Sequence, residues 1–164
     1  LRKGHIHERL KTKSKPGLTE LLRQGGDPAP FIQKTDLENF YFIPRGSLCH
    51  NPGDLFLNAS FDQLLARLRE QFDYVIIDSS PVFAADDSST VAPKVDGTLF
   101  VVRSHFSNAR AVRDALNVLF QRQARVLGLI LNRINTTSRS YYAYKYAEYY
   151  SSSTKEQAEA EEKV

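Results

Sequence analysis

Three nearly continuous apolar runs constrain the fold of this chain more than any other feature of its sequence. They are YVIID at 74–78, TLFVV at 98–102 and RVLGLILN at 125–132. Runs without polar alternation are typical of strands buried on both faces, as in parallel sheets. Because helical patterns alternate with the runs, the sequence predicts an α/β fold, a parallel sheet flanked by helices on both sides and joined by right-handed crossovers.

Two amphipathic helices accompany these runs. We expect Ser60 to cap the first, with Gln63 completing a capping box. The apolar residues at helical spacing in this helix are Phe61, Leu64, Leu65, Leu68 and Phe72. The second helix is predicted at roughly 108–123, with Ala109, Val112, Leu116, Leu119 and Phe120 facing inward. A short helix is predicted at 16–25, between a Pro-Gly start and a glycine stop, and the segment 39–46 predicts a strand that ends at Pro44.

Composition excludes several classes of protein. The 164 residues suit one domain of ordinary size, and a net charge of +3 is too small to argue for nucleic acid, so we expect no nucleic-acid partner. Cys49 is alone, so no intrachain disulfide can form. No apolar run approaches the roughly 18 residues of a membrane span. The basic segment 1–34 is most simply a solvated surface, and contact with phosphate or acidic lipid is the alternative.

Polar residues stand at the predicted carboxyl ends of the strands, where ligands bind in open parallel sheets. Asp78 ends the first apolar run in the form of a Walker B strand, whose carboxylate faces a nucleotide-bound Mg²⁺. One carboxylate suffices, because Mg²⁺ prefers hard oxygen ligands and keeps its waters. Asn132 ends the last run and can offer both donor and acceptor to an adenine edge. The structural alternative for both residues is a turn that follows a buried strand.

The phosphate-binding loop that a nucleotide site needs does not occur in this sequence. No G-x-x-x-x-G-K-[ST] run exists among the 164 residues. Either the protein does not depend on a nucleotide, or the loop lies before Leu1. The chain begins on Leu1 in mid-pattern, which leads us to expect a fragment of a longer protein.

A tyrosine cluster follows the last predicted strand. Its members are Tyr141, Tyr142, Tyr144, Tyr146, Tyr149 and Tyr150. They would point all round a helix and to both faces of a strand, which excludes a core element. A sticky low-complexity segment and a set of exposed acceptor hydroxyls both remain open. We therefore expect a partial domain at 1–135 and a flexible tyrosine-rich tail at 136–164.

The segments FDYVIIDSSPVFAADDSSTVAPKVDGTLFVVR (72–103), RVLGLILNRIN (125–135) and NFYFIPRGSLCHNPGDLF (39–56) resemble a known family. The resemblance is to the kinase domain of the bacterial protein-tyrosine kinases of capsule and exopolysaccharide export. That family is similar to P-loop ATPases of the partition and septum-site type. The resemblance implies a P-loop ATPase-like fold, incomplete at its N-terminus because the Walker A loop would lie upstream.

The resemblance also implies roles for individual residues. Asp78 matches the Walker B aspartate and would hold Mg²⁺ through water, and Asp87 matches an acidic position shortly after it. Arg2 matches the arginine that ends a second catalytic motif. Asn132 matches the position that touches the base in related ATPases, and Arg133 follows it in the same ATP-binding block.

The reaction implied by the resemblance is transfer of the γ-phosphoryl group of ATP to tyrosine. The tail tyrosines 141, 142, 144, 146, 149 and 150 would be acceptors, each entering a neighbour's site within a ring-like homo-oligomer. The implied partners are a membrane polysaccharide co-polymerase or adaptor, fused upstream or separate, and a tyrosine phosphatase. The implied location is the cytoplasmic face of the bacterial inner membrane, and the implied role is control of polysaccharide polymerisation and export.

Two other functions remain open. One is a kinase-like domain without catalysis that acts as a phospho-substrate and interaction module. The other is a partition-type ATPase, which would not need the tyrosine cluster. Because the phosphate-binding loop is missing, we expect residues 1–164 alone to be inactive as a kinase.

Overall fold

Six α-helices and four strands occur in the computed structural model of this chain, which describes residues 1 and 4–135. The chain divides into two units. The first comprises Leu1–Thr98 and Arg113–Leu127, and the described part of the second comprises 99–112 and 128–135. The helices are α1 Ile6–Arg9, α2 Leu18–Gln24, α3 Pro52–Leu57, α4 Ala59–Gln71, α5 Asp87–Val91 and α6 Ala109–Gln121, and the strands are β1 Gln33–Lys34, β2 Tyr41–Phe42, β3 Thr98–Arg103 and β4 Val126–Asn132.

The apolar core of the first unit lies between its helices. Helices α2, α3 and α4 contribute most of the buried residues, and α5 contributes one. The cluster consists of Leu21, Leu22, Phe31, Leu55, Phe56, Phe61, Leu64, Leu65, Leu68 and Val91. The rings of Phe56 and Phe61 meet edge to face at 5.1 Å, a favoured aromatic geometry. The inward face predicted for α4 is confirmed at all four of its predicted positions within the helix.

The starts of α2 and α4 differ in how well the sequence predicted them. Helix α2 begins after Gly17 and ends before Gly25, whose φ of 68° suits a glycine. The predicted cap of α4 is wrong. Asn58 is its N-terminal flanking residue, and the hydroxyl of Ser60 donates to the carbonyl oxygen of Leu22 at 2.9 Å. The Ser60 side chain therefore forms a tertiary contact with α2 and does not cap α4, as its local spacing had predicted.

A hydrogen-bonded loop is fixed to the start of α2. The Glu20 carboxylate accepts hydrogen bonds from the backbone N–H groups of Gly17 at 2.8 Å and Ser47 at 2.9 Å. The fully buried Thr19 hydroxyl lies 3.0 Å from the Arg45 carbonyl oxygen and 2.8 Å from that of Ser47. Burial raises the pKa of the Glu20 carboxyl, but the hydrogen bonds from Ser47 and Gly17 outweigh it, so the pKa lies below its ordinary value.

The strands form two pairs. Strands β1 and β2 are antiparallel, with Gln33 opposite Phe42. The strand predicted to end at Pro44 is shorter than expected, because β2 comprises only Tyr41–Phe42. Strand β3 pairs with β4. The N–H of Thr98 donates to the carbonyl of Arg125 near the start of both strands, and that of Ser104 donates to the carbonyl of Asn132 near the end of both. The two strands therefore run parallel, as predicted.

The prediction that the apolar strands are covered on both faces is wrong for the described part of the chain. More than half of the side-chain surface is exposed at Leu99, Val101, Leu127 and Leu129, which alternate along β3 and β4. The run 74–78 forms no regular strand, and Tyr74 and Ile76 are 89% and 88% exposed. A strand is buried only where a neighbouring layer covers it, and no described residue supplies that layer here.

Helix α6 confirms its predicted position but only part of its predicted inward face. Leu119 is buried, and Val112 and Leu116 are half-buried. Phe120 and Ala109 are exposed, so their inward assignment is wrong. No helix among the described residues has both the length and the apolar character needed to cross a membrane.

Candidate functional site

The predicted metal-binding carboxylate lies at the end of an exposed segment of the first unit. Residues 74–78 lead to Asp78, whose side chain is exposed to solvent. A turn follows, in which the N–H of Ala84 donates to the Pro81 carbonyl at 2.9 Å. Between them, the buried hydroxyl of Ser80 has no hydrogen-bond partner among the described residues. The Asp78 carboxylate is therefore open to a ligand.

The second acidic position has a different environment. Asp87 begins α5 and is only 5% exposed. Helix α5 packs against α3, and a Cβ built on Gly53 would stand 3.9 Å from an oxygen of the Asp87 carboxylate. The neighbouring Ser89 hydroxyl donates to the Asp86 carbonyl at 2.9 Å. Asp87 is thus enclosed by the first unit, whereas Asp78 faces solvent.

The second unit holds the predicted base-binding residues at the carboxyl end of its strands. The N–H of Arg133 donates to the side-chain oxygen of Asn132 at 2.8 Å, and Arg133 has a φ of 55°. This bond fixes the direction of the Asn132 amide. The oxygen keeps a second lone pair and the amide nitrogen keeps both hydrogens, so the side chain can still pair with an adenine edge.

An exposed aromatic residue, which the sequence analysis missed, lies after the end of β3. The guanidinium carbon of Arg103 is 4.9 Å from the ring centroid of Phe106, within cation–π range. Phe106 is 76% exposed. The backbone N–H groups of Phe106 and Ser107 both donate to the Arg103 carbonyl, which closes the turn. The available signal was an aromatic residue three positions after an arginine that ends an apolar strand.

Several predicted site residues lie outside the described part of the chain. They are Arg2 and the acceptor tyrosines 141, 142, 144, 146, 149 and 150. Of the others, Asp78 belongs to the first unit, and Asn132 and Arg133 belong to the second. The structure thus brings Asn132 and Arg133 together.

These residues could hold Mg²⁺ in a site where water supplies most of the ligands. No group of three His, Cys, Asp or Glu side chains that could hold a metal ion occurs among the described residues. Asp78 offers one exposed carboxylate, a hard oxygen ligand of the kind that Mg²⁺ takes alongside retained waters. The residues therefore fit magnesium held through one protein carboxylate and do not fit a metal enclosed by protein ligands.

Two open cavities lie away from these residues. The first, called the lysine cavity below, has a volume of about 420 Å³ and is lined by Lys11, Thr12, Lys13, Lys15, Pro16, Pro30, Gln33 and Lys34. The second, of about 430 Å³, is lined by residues between Lys34 and Tyr41. Neither cavity includes Asp78 or Asn132, so neither is the predicted nucleotide site.

Comparison with characterised proteins points to a single family, although no protein-family model matches the chain. The tyrosine-protein kinase wzc of Salmonella typhi is 35% identical over 149 residues, which cover 91% of this chain and 21% of that protein. The tyrosine-protein kinase CpsD of Streptococcus pneumoniae is 31% identical over 125 residues, covering 76% of this chain and 55% of that protein.

Solved structures agree with this result. The kinase domain of VpsO superimposes with a TM-score of 0.75 at 30% identity, covering 82% of this chain and 66% of that one. The kinase domain of the Escherichia coli tyrosine kinase ETK gives a TM-score of 0.76 at 28% identity, covering 83% and 55%. The chain belongs to the bacterial tyrosine-protein kinases.

Membership of this tyrosine kinase family confirms two predictions made from the sequence. The resemblance of the segments within 39–135 is confirmed, and so is the α/β, P-loop ATPase-like fold class. The chain spans about a fifth of the Salmonella kinase and about half of the pneumococcal one. What a complete kinase of this family does is therefore a matter of proposal for this chain.

Proposed function

We propose that this chain is the C-terminal part of a kinase domain that transfers the γ-phosphoryl group of ATP to tyrosine. The observation that carries the proposal is its similarity to tyrosine kinase domains, at a TM-score of 0.75 over 82% of the chain. The exposed carboxylate at the end of the run 74–78 supports it. Phosphoryl transfer depends mainly on positioning the reactants and on neutralising charge, so a few well-placed side chains can supply the protein's contribution to catalysis.

Asp78 is assigned the metal-binding role. Bound Mg²⁺ would supply charge neutralisation at the phosphates of ATP, and Asp78 would hold the ion through water. Its exposure leaves the carboxylate free to do so. The same carboxylate can orient the attacking phenol, whose proton, with a pKa near 10, must leave as the new bond forms.

Asn132 and Arg133 are assigned to the base side of the nucleotide. The hydrogen bond from the Arg133 N–H to the Asn132 side-chain oxygen holds the amide in one orientation. A fixed amide loses less side-chain entropy on binding than a free one. Arg2, outside the described residues, is proposed as the arginine that neutralises phosphate charge.

The tyrosine cluster is proposed to supply acceptor hydroxyls. Serines follow it and Lys145 interrupts it, a composition that suits presentation to an enzyme rather than burial. We propose that each tail enters the site of a neighbour in a ring-like homo-oligomer. Each phosphate adds about −1.5 to −2 charges, so several would repel one another and release the tail.

The export context is part of the same proposal. The protein would act at the cytoplasmic face of the inner membrane, with a polysaccharide co-polymerase or adaptor and a tyrosine phosphatase as partners. Phosphorylation of the tail would regulate polymerisation and export of the polysaccharide. The support is the resemblance of the sequence to capsule and exopolysaccharide kinases.

A substitution of the metal-binding carboxylate tests the catalytic assignment. In the longest protein that contains this chain, Asp78→Asn should lower the initial rate of tyrosine autophosphorylation about 100-fold or more, because the metal loses its protein ligand. Asp73→Asn is the matched control, since it removes an exposed carboxylate just before the same run. Comparable rates for the Asp78 variant and the unsubstituted protein would refute the assignment.

A tail substitution tests the acceptor assignment. Replacing the six clustered tyrosines by phenylalanine should remove most of the phosphotyrosine signal in mass spectrometry. Replacing Tyr41 and Tyr74, the two tyrosines outside the cluster, is the control and should leave the signal in place. An undiminished signal in the six-residue variant would refute the assignment.

The same variants also test a second function. In this alternative the chain is a phospho-substrate and interaction module without catalysis. Phosphate would then appear on the tail only when an active kinase is added, and Asp78→Asn would not change the rate. Because residues 1–164 contain no G-x-x-x-x-G-K-[ST] run, we predict that these residues alone show no Mg²⁺-dependent autophosphorylation.

A further inference from the structure

Four lysines surround the lysine cavity, and among the described residues none of them forms a salt bridge with a carboxylate. Lys11, Lys13 and Lys15 lie on the loop after α1, and Lys34 lies on β1. All four are exposed. The lining contains no acidic residue. Like charges gathered without counter-charges produce a local positive potential, which attracts an anion.

The loop that carries three of these lysines is anchored to the first strand pair. The Gln33 side chain binds the backbone of Lys13 twice, accepting from its N–H at 2.8 Å and donating to its carbonyl at 3.0 Å. Just before Lys13, the N–H of Thr12 donates to the His7 carbonyl at 2.9 Å. These bonds hold Lys13 beside β1, so the gathering of the lysines is a property of the fold.

The lining of the cavity is neither purely charged nor purely polar. Pro16 and Pro30 contribute apolar ring surface. Thr12 contributes a buried hydroxyl that has no hydrogen-bond partner among the described residues. A buried hydroxyl without a partner is costly, so this atom is one that a local rearrangement could supply with an acceptor. The cavity therefore combines positive charge, apolar surface and one unused hydroxyl.

This combination fits a phosphate attached to an aromatic ring better than it fits a phosphate alone. A volume of about 420 Å³ exceeds what a phosphate ion needs and lies within the range of small-ligand sites. Lysine ammonium groups bind phosphate as point charges, and proline rings offer a face to an aromatic side chain. Segment 141–150 holds six of the eight tyrosines that could carry such a phosphate in this chain, and the other two are Tyr41 and Tyr74.

We propose that the lysine cavity is a binding site for a phosphotyrosine side chain of segment 141–150. The source of the phosphate rests on the proposed function, whereas the binding site does not. After phosphorylation the modified tail would be held at this cavity, away from Asp78. The cavity would then bind the phosphorylated tail more tightly than the unmodified tail.

A synthetic peptide separates this proposal from kinase activity. Residues 139–153, made with one phosphate on Tyr146, are titrated by calorimetry into the full 164-residue chain, alongside the same peptide without phosphate. The phosphopeptide should bind at least about tenfold more tightly, and its binding should weaken as salt rises. Equal binding of the two peptides would overturn the proposal, whether or not the protein is an active kinase.

Two paired variants locate the site. Lys13→Gln with Lys34→Gln should weaken phosphopeptide binding at least about tenfold. Arg67→Gln with Arg122→Gln, at exposed positions outside the cavity, removes the same charge and should change binding less than about twofold. An equal loss in both pairs would show attraction to net charge and refute a local site. Thermal unfolding of each pair should match that of the unsubstituted chain.

Two further probes test the chemistry of the ligand. Inorganic phosphate should bind more weakly than the phosphopeptide, because it lacks the ring that contacts Pro16 and Pro30. Vesicles that contain anionic lipid should not compete with the phosphopeptide. Equal binding of inorganic phosphate would remove the aromatic part of the proposal. Competition by vesicles that is abolished by the lysine pair would identify a membrane surface instead.

Discussion

The helical core of the first unit and the strand pair β3–β4 are built from similarly apolar sequences, yet they differ sharply in burial. Ten apolar residues of the core cluster are buried between α2, α3, α4 and α5. In β3 and β4, alternate apolar side chains remain more than half exposed. The amphipathic helices find partners within the chain, because their apolar stripes face one another. The strands were predicted to need a layer on each face, and the described residues supply less than that.

A matched pair of leucine substitutions should show the difference most strongly. Leu64 in α4 is 5% exposed, whereas Leu129 in β4 is 57% exposed. Leu64→Ala should lower the free energy of unfolding of the 164-residue chain by about 2–5 kcal/mol through lost burial and the cavity left behind. Leu129→Ala should cost less than about 1 kcal/mol. Urea denaturation measures both, and equal costs would show that the β4 face is covered in solution.

The next largest effect concerns a polar contact beside the helical core of the first unit. Thr19→Val should lower the free energy of unfolding by about 1–3 kcal/mol. It removes a buried hydroxyl that lies within hydrogen-bond distance of the carbonyl oxygens of Arg45 and Ser47. Thr19→Ser keeps the hydroxyl and should recover most of the loss. If the serine variant is no more stable than the valine variant, packing of the methyl group rather than hydrogen bonding holds the loop to α2.

The Glu20 carboxylate predicts a pH dependence in the same region. A carboxyl with a lowered pKa in the folded state contributes stability that is present above its ordinary value of 4.5 and is lost as the pH falls through the folded-state pKa. Glu20→Gln should therefore reduce stability by about 1 kcal/mol near neutral pH and flatten the loss below pH 4.5. Denaturation midpoints at several pH values measure this. Glu70→Gln, on the exposed side of α4, is the matched control.

The smallest effect is expected at a surface ion pair between α4 and the turn before β3. Arg69 and Asp96 meet at 3.0 Å, and both side chains are well exposed. A double-mutant cycle with alanine at each position should give a coupling of about 0.2–1 kcal/mol, weaker at high salt. A coupling well above that range would mean that ion pairs, and not apolar burial alone, distinguish the helical region from the strand pair.

Much of the fold could be predicted from short-range pattern. The spacing of apolar residues located α4 and α6, and glycines bounded α2, because these signals depend on residues within a few positions. The failures at Ser60 and at 74–78 have one cause. Ser60 bonds to a distant helix, and a strand exists only when another strand pairs with it, so neither outcome is written in local spacing.

The candidate site, too, could be predicted only where its signals are local in the sequence. An aspartate at the end of an apolar run and an asparagine at the end of another are local signals, and both remain proposals for metal and base binding. The orientation of the Asn132 amide depends on the left-handed backbone of Arg133, and the ring contact of Phe106 depends on how the chain turns after β3. Such contacts require three-dimensional positions that residue types do not specify.

The sequence by itself determined the α/β class, the parallel direction of β3 and β4 and the position of the principal helices, since apolar period and glycine placement act over short distances. Tertiary structure alone decided which apolar residues are buried, which of two nearby aspartates faces solvent, and that four lysines from separate segments surround one cavity. Burial and the gathering of charge depend on contacts between distant parts of the chain, and only folding brings those parts together.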